Sequence, residues 1–549
     1  MRVSARKSAV AGAAAMALAL SACGGDDSGD GGGGSAEGGG GHVTVRGCNP
    51  QNPLVPGNTG ETCGGDVVQQ LFSKLVRYDP ETAQPHNDIA ESIESEDNRV
   101  WTITIKDGWT FHDGTPITAQ SFVDAWNYTA HGSNAQYNQY FFEPFKGYDA
   151  VAGEFDEEGA YIEGSAKAEK MSGLKVIDEH TFEVTLKEPR GSFPLMVGYS
   201  AFAPLPEVFF EDPEAFGDAP VGSGPFKFDS WEKNRSIKIS KYDDYAGEME
   251  PEIESATFEI YEDDNAAYND LQANQLDLMP QLPTSALAGE AYKNDLGERF
   301  VEREVGTIQT VTFAPESVSP ELANPKLRQA ISMAIDRESI IESIFAGTKT
   351  PATGWVAPTV DGYKPGACGG FCQYDPQKAK DLLAEAGGYD GTLTLSYNAD
   401  ADHQGWVDAT CNSIRNTLDI KCNGAPEVDF ATFRTKIGNR EMPGMFRTGW
   451  RMDYPSAENF LVPLYKTGAS SNDGDYSNPE FDRLVDEAAT KTGEEAAELY
   501  NQAEALLAEE MTAIPMWYYK VVAGYSTNVD NVHITPFGTV DLTSVTTTS

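Results

Sequence analysis

The chain of 549 residues is long enough for about three domains at ~150 residues each, and it carries 40 basic against 85 acidic side chains, a formal charge of −45. A pI near 4.4 excludes nucleic acid as a partner, because neutralising phosphates requires a basic stripe and the sequence has none. With 40% hydrophobic and 23% charged residues the composition is globular, and no apolar run beyond the first 22 residues approaches the ~20 needed to cross a bilayer.

The N-terminus sets the compartment. Arg2, Arg6 and Lys7 form a positive region, Ala9 to Leu20 an apolar one, and Leu20-Ser21-Ala22-Cys23 a small-residue cleavage site ending in cysteine. The pattern resembles a bacterial lipobox, which implies that residues 1–22 are a signal peptide and that Cys23 carries a diacylglycerol on its thioether. A further amine-linked chain would supply the second anchoring signal that one chain lacks. Residues 24–41, GGDDSGDGGGGSAEGGGG, hold no side chain able to build a core. With Cys23 they make a tether segment, 23–41, that spans about 25 Å as a flexible coil. We therefore expect the folded body at the extracellular face of the cell membrane, held by lipid alone.

From His42 onward no second linker and no repeat interrupts the chain. Six cysteines remain besides Cys23, and an even count in an exported protein favours disulfides over metal ligation. They fall into sequence-local couples, Cys48–Cys63, Cys368–Cys372 and Cys411–Cys422, each contributing ~2–3 kcal/mol if unstrained. Zinc is disfavoured, since no histidine sits near these thiols at finger spacing.

In chain order, alternation predicts a strand at Trp101-Thr-Ile-Thr-Ile105, and a helix follows from Phe122 to Tyr128. Further strands read at Thr181 to Leu186 and Ser236 to Ser240. Helices read at Pro325 to Phe345, where Leu327, Ile331, Ala334, Ile335 and Ile341 recur at helical spacing, and at Asp375 to Ala386. A last long helix spans Glu480 to Glu510, interrupted near Gly493. Mixed elements without strict alternation point to α/β or α+β layers rather than a barrel.

Catalytic machinery is not evident. There is no GxxxxGKS/T loop and no HExxH, and Gly198-Tyr199-Ser200-Ala201-Phe202 lacks the second glycine of a nucleophile elbow. His112, within Phe111-His112-Asp113-Gly114, reads as a turn residue. Asp243-Asp244 and Asp263-Asp264 read as solvated faces in so acidic a chain rather than as a glycosidase pair. We expect no enzyme, no cofactor and no metal. Aromatics are more suggestive: Tyr137 and Tyr140 lie in a Ser/Asn/Gln-rich stretch that reads as a loop, where aromatics often face a ligand. Phe141, Phe142, Phe145 and Trp517-Tyr518-Tyr519 read by default as core.

One stretch is recognisable. Ile89-Ala-Glu-Ser-Ile-Glu-Ser95, the Trp101 strand, and Trp109-Thr-Phe-His-Asp-Gly-Thr-Pro-Ile-Thr-Ala-Gln-Ser-Phe-Val-Asp-Ala-Trp126 resemble the signature of family 5 extracellular solute-binding proteins. Its physics is plain: an alternating strand, a tight Asp113-Gly114 turn, then Thr118 capping a helix with Phe122, Ala125 and Trp126 on one face. The likeness continues through Val176 to Pro189, Gly222-Ser-Gly-Pro-Phe226, Asn324 to Ile331 with Ala334-Ile-Asp-Arg337, and Ala513-Ile-Pro-Met516. It implies the peptide-binding subunit of a bacterial ABC importer, with an α/β periplasmic-binding-protein type II clamshell that closes on its ligand by hinge motion. On that template the first lobe is 42–74, 201–306 and 516–549, an inserted subdomain is 75–200, and the second lobe is 307–515.

Arg447-Thr448-Gly449-Trp450-Arg451-Met452-Asp453-Tyr454 resembles the oligopeptide-binding branch of that family. The likeness implies that Asp453 receives the peptide's N-terminal ammonium, a contact worth ~1.5–3 kcal/mol when shut off from water. The backbone of Thr448, Gly449 and Trp450 would pair with an extended peptide, as would Cys48 to Gln51 around Asn49, although Pro50 and Pro53 remove donors there. Trp450 would wall a side-chain pocket, and Arg447 and Lys436 match or neighbour positions that pair with the peptide carboxylate. The expected partners are a peptide, the permease subunits and their ATPase, with the protein a monomer. The same fold could instead take an oligosaccharide or a metal chelate, which lack the ammonium that Asp453 would pair. A secreted hydrolase is disfavoured by the missing nucleophile, and a peptide-sensing signalling receptor would need the same site.

Overall fold

Two long strands, Phe300–Phe313 and Ala513–Tyr525, run antiparallel through the centre of an eleven-stranded sheet. In the computed structural model, residues 41–156, 161–399, 401–428, 430–469 and 471–548 are described. The signal segment, Cys23 and the tether up to residue 40 lie outside the described residues. Rich in Val, Ile, Thr and aromatics, both strands suit a buried pleated surface. Their pairing slips register between Glu304 and Ile308. On one side of the slip Val305, Val521 and Ala523 belong to one hydrophobic core. On the other, Ile308, Val311, Trp517 and Tyr518 belong to a second. The two strands thus pass from one core to the other where their ladder is broken.

From the strand Ala513–Tyr525 outward, the first side of the sheet runs Leu278–Met279, His42–Gly47, Ser255–Ile260, Ser236–Lys241, Phe226–Glu232. From Phe300–Phe313 the other side runs Met445–Arg451, Thr392–Asn398, Lys421–Glu427. Lys349–Pro351 pairs separately with Ala513–Tyr525. A four-stranded antiparallel sheet of Ala90–Glu94, Val100–Ile105, Thr181–Thr185 and Leu174–Val176 lies beside the first core. The helix Ala119–Ala130 packs Trp126 edge-on against Phe145, Phe182 and Phe202. These aromatics share the first core with Val43, Val45 and Phe258.

The strands expected around Trp101, Thr181 and Ser236 form at Val100–Ile105, Thr181–Thr185 and Ser236–Lys241. Thr118 opens its helix, with its own N–H donating to Ser121 Oγ. The expected continuous helix over Pro325 to Phe345 is instead two, Pro325–Met333 and Arg337–Phe345. Asp336 caps the second by accepting from the Ser339 N–H. Arg337, only 2% exposed, donates to the carbonyls of Ser332, Cys372 and Pro515, so the break frees main-chain oxygens for a buried guanidinium. The last long helix likewise divides into Pro479–Ala489 and Gly493–Glu510.

Cys48–Cys63, Cys368–Cys372 and Cys411–Cys422 are bonded, with Cα separations of 5.2, 5.8 and 5.0 Å inside the usual disulfide range. His112 accepts from the Gly222 N–H at Nδ1 and reaches the Gly224 carbonyl from Nε2, 3.1 Å each. It ties the Asp113-Gly114 turn to the Gly222-Ser-Gly224 segment as a neutral ring, its pKa lowered by burial to about 4. No helix among the described residues is long and apolar enough to cross a membrane.

Candidate functional site

Strand Met445–Arg451 has one fully paired edge and one largely open edge. Against Phe300–Phe313 it pairs from Arg451 with Thr307 to Met445 with Phe313. Against Thr392–Asn398 it pairs only at Met445 and Phe446. Arg447 to Arg451 therefore present main-chain groups to no neighbouring strand on that side among the described residues. An unpaired edge is a template for an added strand.

Three cavities lie along this segment. One of about 370 Å³ is lined by Arg447, Thr448, Gly449, Trp450, Tyr137 and Tyr140, among others. A second, about 560 Å³, shares Tyr140 and Trp450 and adds Asp453, Tyr454, Met196 and Glu458. The third, about 320 Å³, lies around Arg451, Gly47, Asp66 and the Cys48–Cys63 disulfide. Tyr140 packs on the first core and Trp450 on the second, so the cavities form a cleft between the two cores.

Each wall is built locally. Buried Asn138 donates to the carbonyls of Pro56 and Thr59 and pins the turn Tyr137–Phe142 to the loop before Thr62–Leu71. Tyr137 stays 60% exposed, its ring lying over Gly60, where a Cβ would come within 2.2 Å of it. Opposite, Thr448 Oγ1 bonds the Thr310 and Thr312 hydroxyls at 2.7 and 2.6 Å, a cross-strand ladder that fixes the edge strand. Arg447 donates from Nε to Asn398 Oδ1 at 2.8 Å, its guanidinium 5.1 and 5.5 Å from the rings of Phe430 and Phe433.

Asp453 sits just past the open edge, half-buried. Its carboxyl is pushed up to about 7, chiefly by loss of water, with the Asn459 amide and Arg451 pulling the other way. Asn459 donates to Asp453 Oδ2 at 2.9 Å, while its Oδ1 accepts from the Asp453 N–H and from Trp450 Nε1. Burial and the nearby Asp453 hold the phenols of Tyr140 and Tyr199 well above their usual range, so both are neutral donors.

The cleft is bridged at one rim. Arg190 Nη1 lies 2.5 Å from Glu458 Oε1, and Ser192 Oγ donates to the same carboxylate. The Gly191 N–H donates to the Ala489 carbonyl at 2.6 Å, and Asn98 Nδ2 to the Thr490 carbonyl at 3.2 Å. Arg451 reaches Thr62 Oγ1 at 3.4 Å on another side.

Of the residues singled out in the sequence, Tyr137, Tyr140, Arg447, Thr448, Gly449, Trp450 and Asp453 come together around this cleft. Lys436 and Asn49 do not line these cavities. Lys436 is held by Glu427 at 2.6 Å, and exposed Asn49 turns to Asn234. Asn459, Phe433, the Arg434–Asp473 pair and Asp66 line or support the site without having been foreseen. Six residues separate Asn459 from Asp453, and no spacing rule points from one to the other. Among the described residues no cluster of three or more His, Cys, Asp or Glu side chains is arranged to hold a metal.

The family profile for bacterial extracellular solute-binding proteins, family 5 Middle, matches residues 84–472. The chain belongs to family 5 of the bacterial extracellular solute-binding proteins. Family 5 relatives include the oligopeptide-binding protein OppA of Bacillus subtilis, 28% identical with 85% of each chain covered. The periplasmic oligopeptide-binding protein OppA of Salmonella typhimurium is 26% identical over 85% of this chain and 87% of its own. Among solved structures, the Escherichia coli murein tripeptide binding protein MppA aligns with a TM-score of 0.77 at 21% identity, covering 92% of this chain and 98% of its own. Haemophilus influenzae OppA in complex with RPPGFSPFR aligns at 0.75 and 21%, covering 92% and 99%. The fold is thus the α/β periplasmic-binding-protein type II fold of family 5, and these relatives are binding proteins, not enzymes.

Proposed function

We propose that this protein captures peptides in the cleft between its cores and delivers them to the permease of an ABC importer. The observation that carries the reading is the open Arg447–Arg451 edge beside Asp453. The edge offers main-chain hydrogen bonds common to all peptides, and Asp453 offers a carboxylate for the N-terminal ammonium. Trp450 and Tyr140 would wall side-chain space, with Tyr137 at the mouth. Arg447 would meet a carboxylate at the other end of the strand.

In this reading the first lobe would be 42–74, 201–306 and 516–549, with an insert at 75–200 and the second lobe at 307–515. The long strands crossing at the register slip would act as the hinge. Cys23 would carry the lipid after removal of residues 1–22, and the Gly-rich tether would hold a monomer off the outer face of the membrane. Relatives named for oligopeptides, dipeptides and a murein tripeptide support the ligand class.

Native mass spectrometry of residues 24–549, refolded to strip ligand and then given a mixed protein digest, tests the proposal. Retained masses should match peptides and drop about tenfold in abundance in Asp453→Ala. Folded wild-type protein retaining no peptide would refute it.

A further inference from the structure

Two groups of the cleft, the Asp453 carboxylate and the Trp450 indole, depend on one almost fully buried side chain in the wall of the same cavity. Asn459 is 3% exposed, on the first turn of the helix Ala457–Tyr465. Its Oδ1 accepts from Trp450 Nε1 at 3.0 Å and from the Asp453 N–H at 2.8 Å, and its Nδ2 donates to Asp453 Oδ2 at 2.9 Å. A carboxamide suits this place because it joins an acceptor with two lone pairs to a donor on one planar group. Aspartate lacks the donor. Helix propensity does not explain the choice, since asparagine is a poor helix former whose polar group competes with the backbone.

The helix start is itself held. Ser456 Oγ accepts from the Glu458 N–H at 3.2 Å, and the Asn459 N–H donates to the Ser456 carbonyl at 3.0 Å. Phe460 and Leu461 that follow are fully buried in the second core. Glu458 grips Arg190 and Ser192. With its backbone anchored on both sides, the amide has little freedom, and it transmits that rigidity to Asp453.

We propose that Asn459 is the positioning residue of the site, its single amide fixing both the Asp453 carboxylate and the Trp450 indole and so setting the preference for a free α-amine. The inference rests on the reading that Asp453 receives the ammonium. Without the amide, the carboxylate can rotate away from the end of the strand edge, and the indole loses the only hydrogen bond recorded for its N–H among the described residues. Ligand main-chain pairing on Arg447–Arg451 does not pass through Asn459, so the loss should fall on recognition of the amine.

The test uses two synthetic pools of tri- to pentapeptides, identical except that one is N-acetylated. Retention of each pool by the full-length mature protein is read by mass spectrometry. Wild type should favour the free-amine pool by about tenfold or more, the value of one good charge-assisted contact. Asn459→Ala should bring the ratio close to one while the acetylated pool is still held, which also shows that the variant is folded. Asn459→Leu, close in volume, removes both the acceptor and the donor without adding a charge beside Asp453 and should match Asn459→Ala; if Asn459→Ala does not fold, this variant decides. A preference in wild type that Asp453→Ala abolishes but both Asn459 variants retain in full overturns the positioning role and leaves the amine anchor standing. Wild type with no preference overturns the amine anchor and this inference together.

Discussion

The fully buried Glu458 carboxylate lies 2.5 Å from the guanidinium of Arg190, which reaches it from the other wall of the cleft. Glu458 and Asn459 are consecutive, so the residue that ties the walls together adjoins the one that holds Asp453. Removing one partner of a buried pair leaves the other charged and poorly solvated. Glu458→Ala should therefore lower unfolding free energy by about 3 kcal/mol, measured by urea denaturation. Arg190→Ala should cost at least as much, because it strands the fully buried Glu458 carboxylate, whereas the Arg190 left by Glu458→Ala keeps 21% of its side chain exposed to water. A double variant costing the sum of the two singles would show that the pair is not coupled.

Proton binding by Asp453 opposes capture of an ammonium. Its carboxyl titrates at about 7 without ligand, and the proton must leave before the peptide amine can be paired. Affinity for a free-amine peptide should drop about tenfold for each pH unit below 7. Isothermal titration between pH 5 and 8 measures this, with Asp453→Asn giving a flat, weaker profile.

Glu504 provides a separate pH handle away from the cleft. It is 1% exposed and accepts from the N–H groups of Trp355 and Val356, yet burial pushes its pKa up to about 7. A folded-state pKa above the unfolded one means the proton is held more tightly in the native state. That contribution is complete below about pH 4 and is lost as pH rises toward 7, with a total of order 3 kcal/mol. Asp66, raised to about 6, acts in the same direction, and neutral His112, lowered to about 4, acts in the opposite one. Thermal melts of ligand-free protein should show Glu504→Gln stabilising at pH 8 and nearly neutral at pH 4.5; equal effects at both would contradict the assignment.

Pairing along an edge predicts a periodic cost for blocking peptide donors. Residues on a strand alternate in which side their N–H groups point, so only every second one faces the protein. Single backbone N-methyl groups walked along a bound peptide should weaken binding by about tenfold at alternate positions. A uniform cost along the peptide would argue for recognition by side chains alone.

Charge adds a kinetic signature. With a net charge of −45, the protein should repel acidic peptides at long range, an effect screened within about 10 Å at 0.1 M salt. Stopped-flow association should be faster for a Lys-rich peptide than for a Glu-rich one of equal length at low salt. The gap should shrink on adding salt, and equal rates at low salt would defeat the expectation.

Much of the fold was legible where pattern and period agree. Trp101 to Ile105 alternates cleanly because one face packs on Phe182 and its neighbours. Pro325 to Phe345 kept helical spacing across a break, because the break comes from the Asp336 cap and buried Arg337 rather than from a lapse in apolar period. The open-edged strand Met445–Arg451 was legible only through resemblance. Met-Phe-Arg-Thr-Gly-Trp-Arg has no alternation, and its open edge exists because pairing with Thr392–Asn398 ends at Phe446, a tertiary fact with no local mark. Lys436 reads as a ligand-facing cation only through the resemblance, as the neighbour of a carboxylate-pairing position, while the helix Phe430–Gly438 carries it to Glu427.

A crystal structure of the mature protein with a retained peptide tests the central claim most directly. The account predicts main-chain hydrogen bonds between the peptide and the Thr448–Arg451 edge, with the N-terminal ammonium within hydrogen-bond distance of the Asp453 carboxylate. A peptide that leaves that edge unpaired and places its amine away from Asp453 would contradict it.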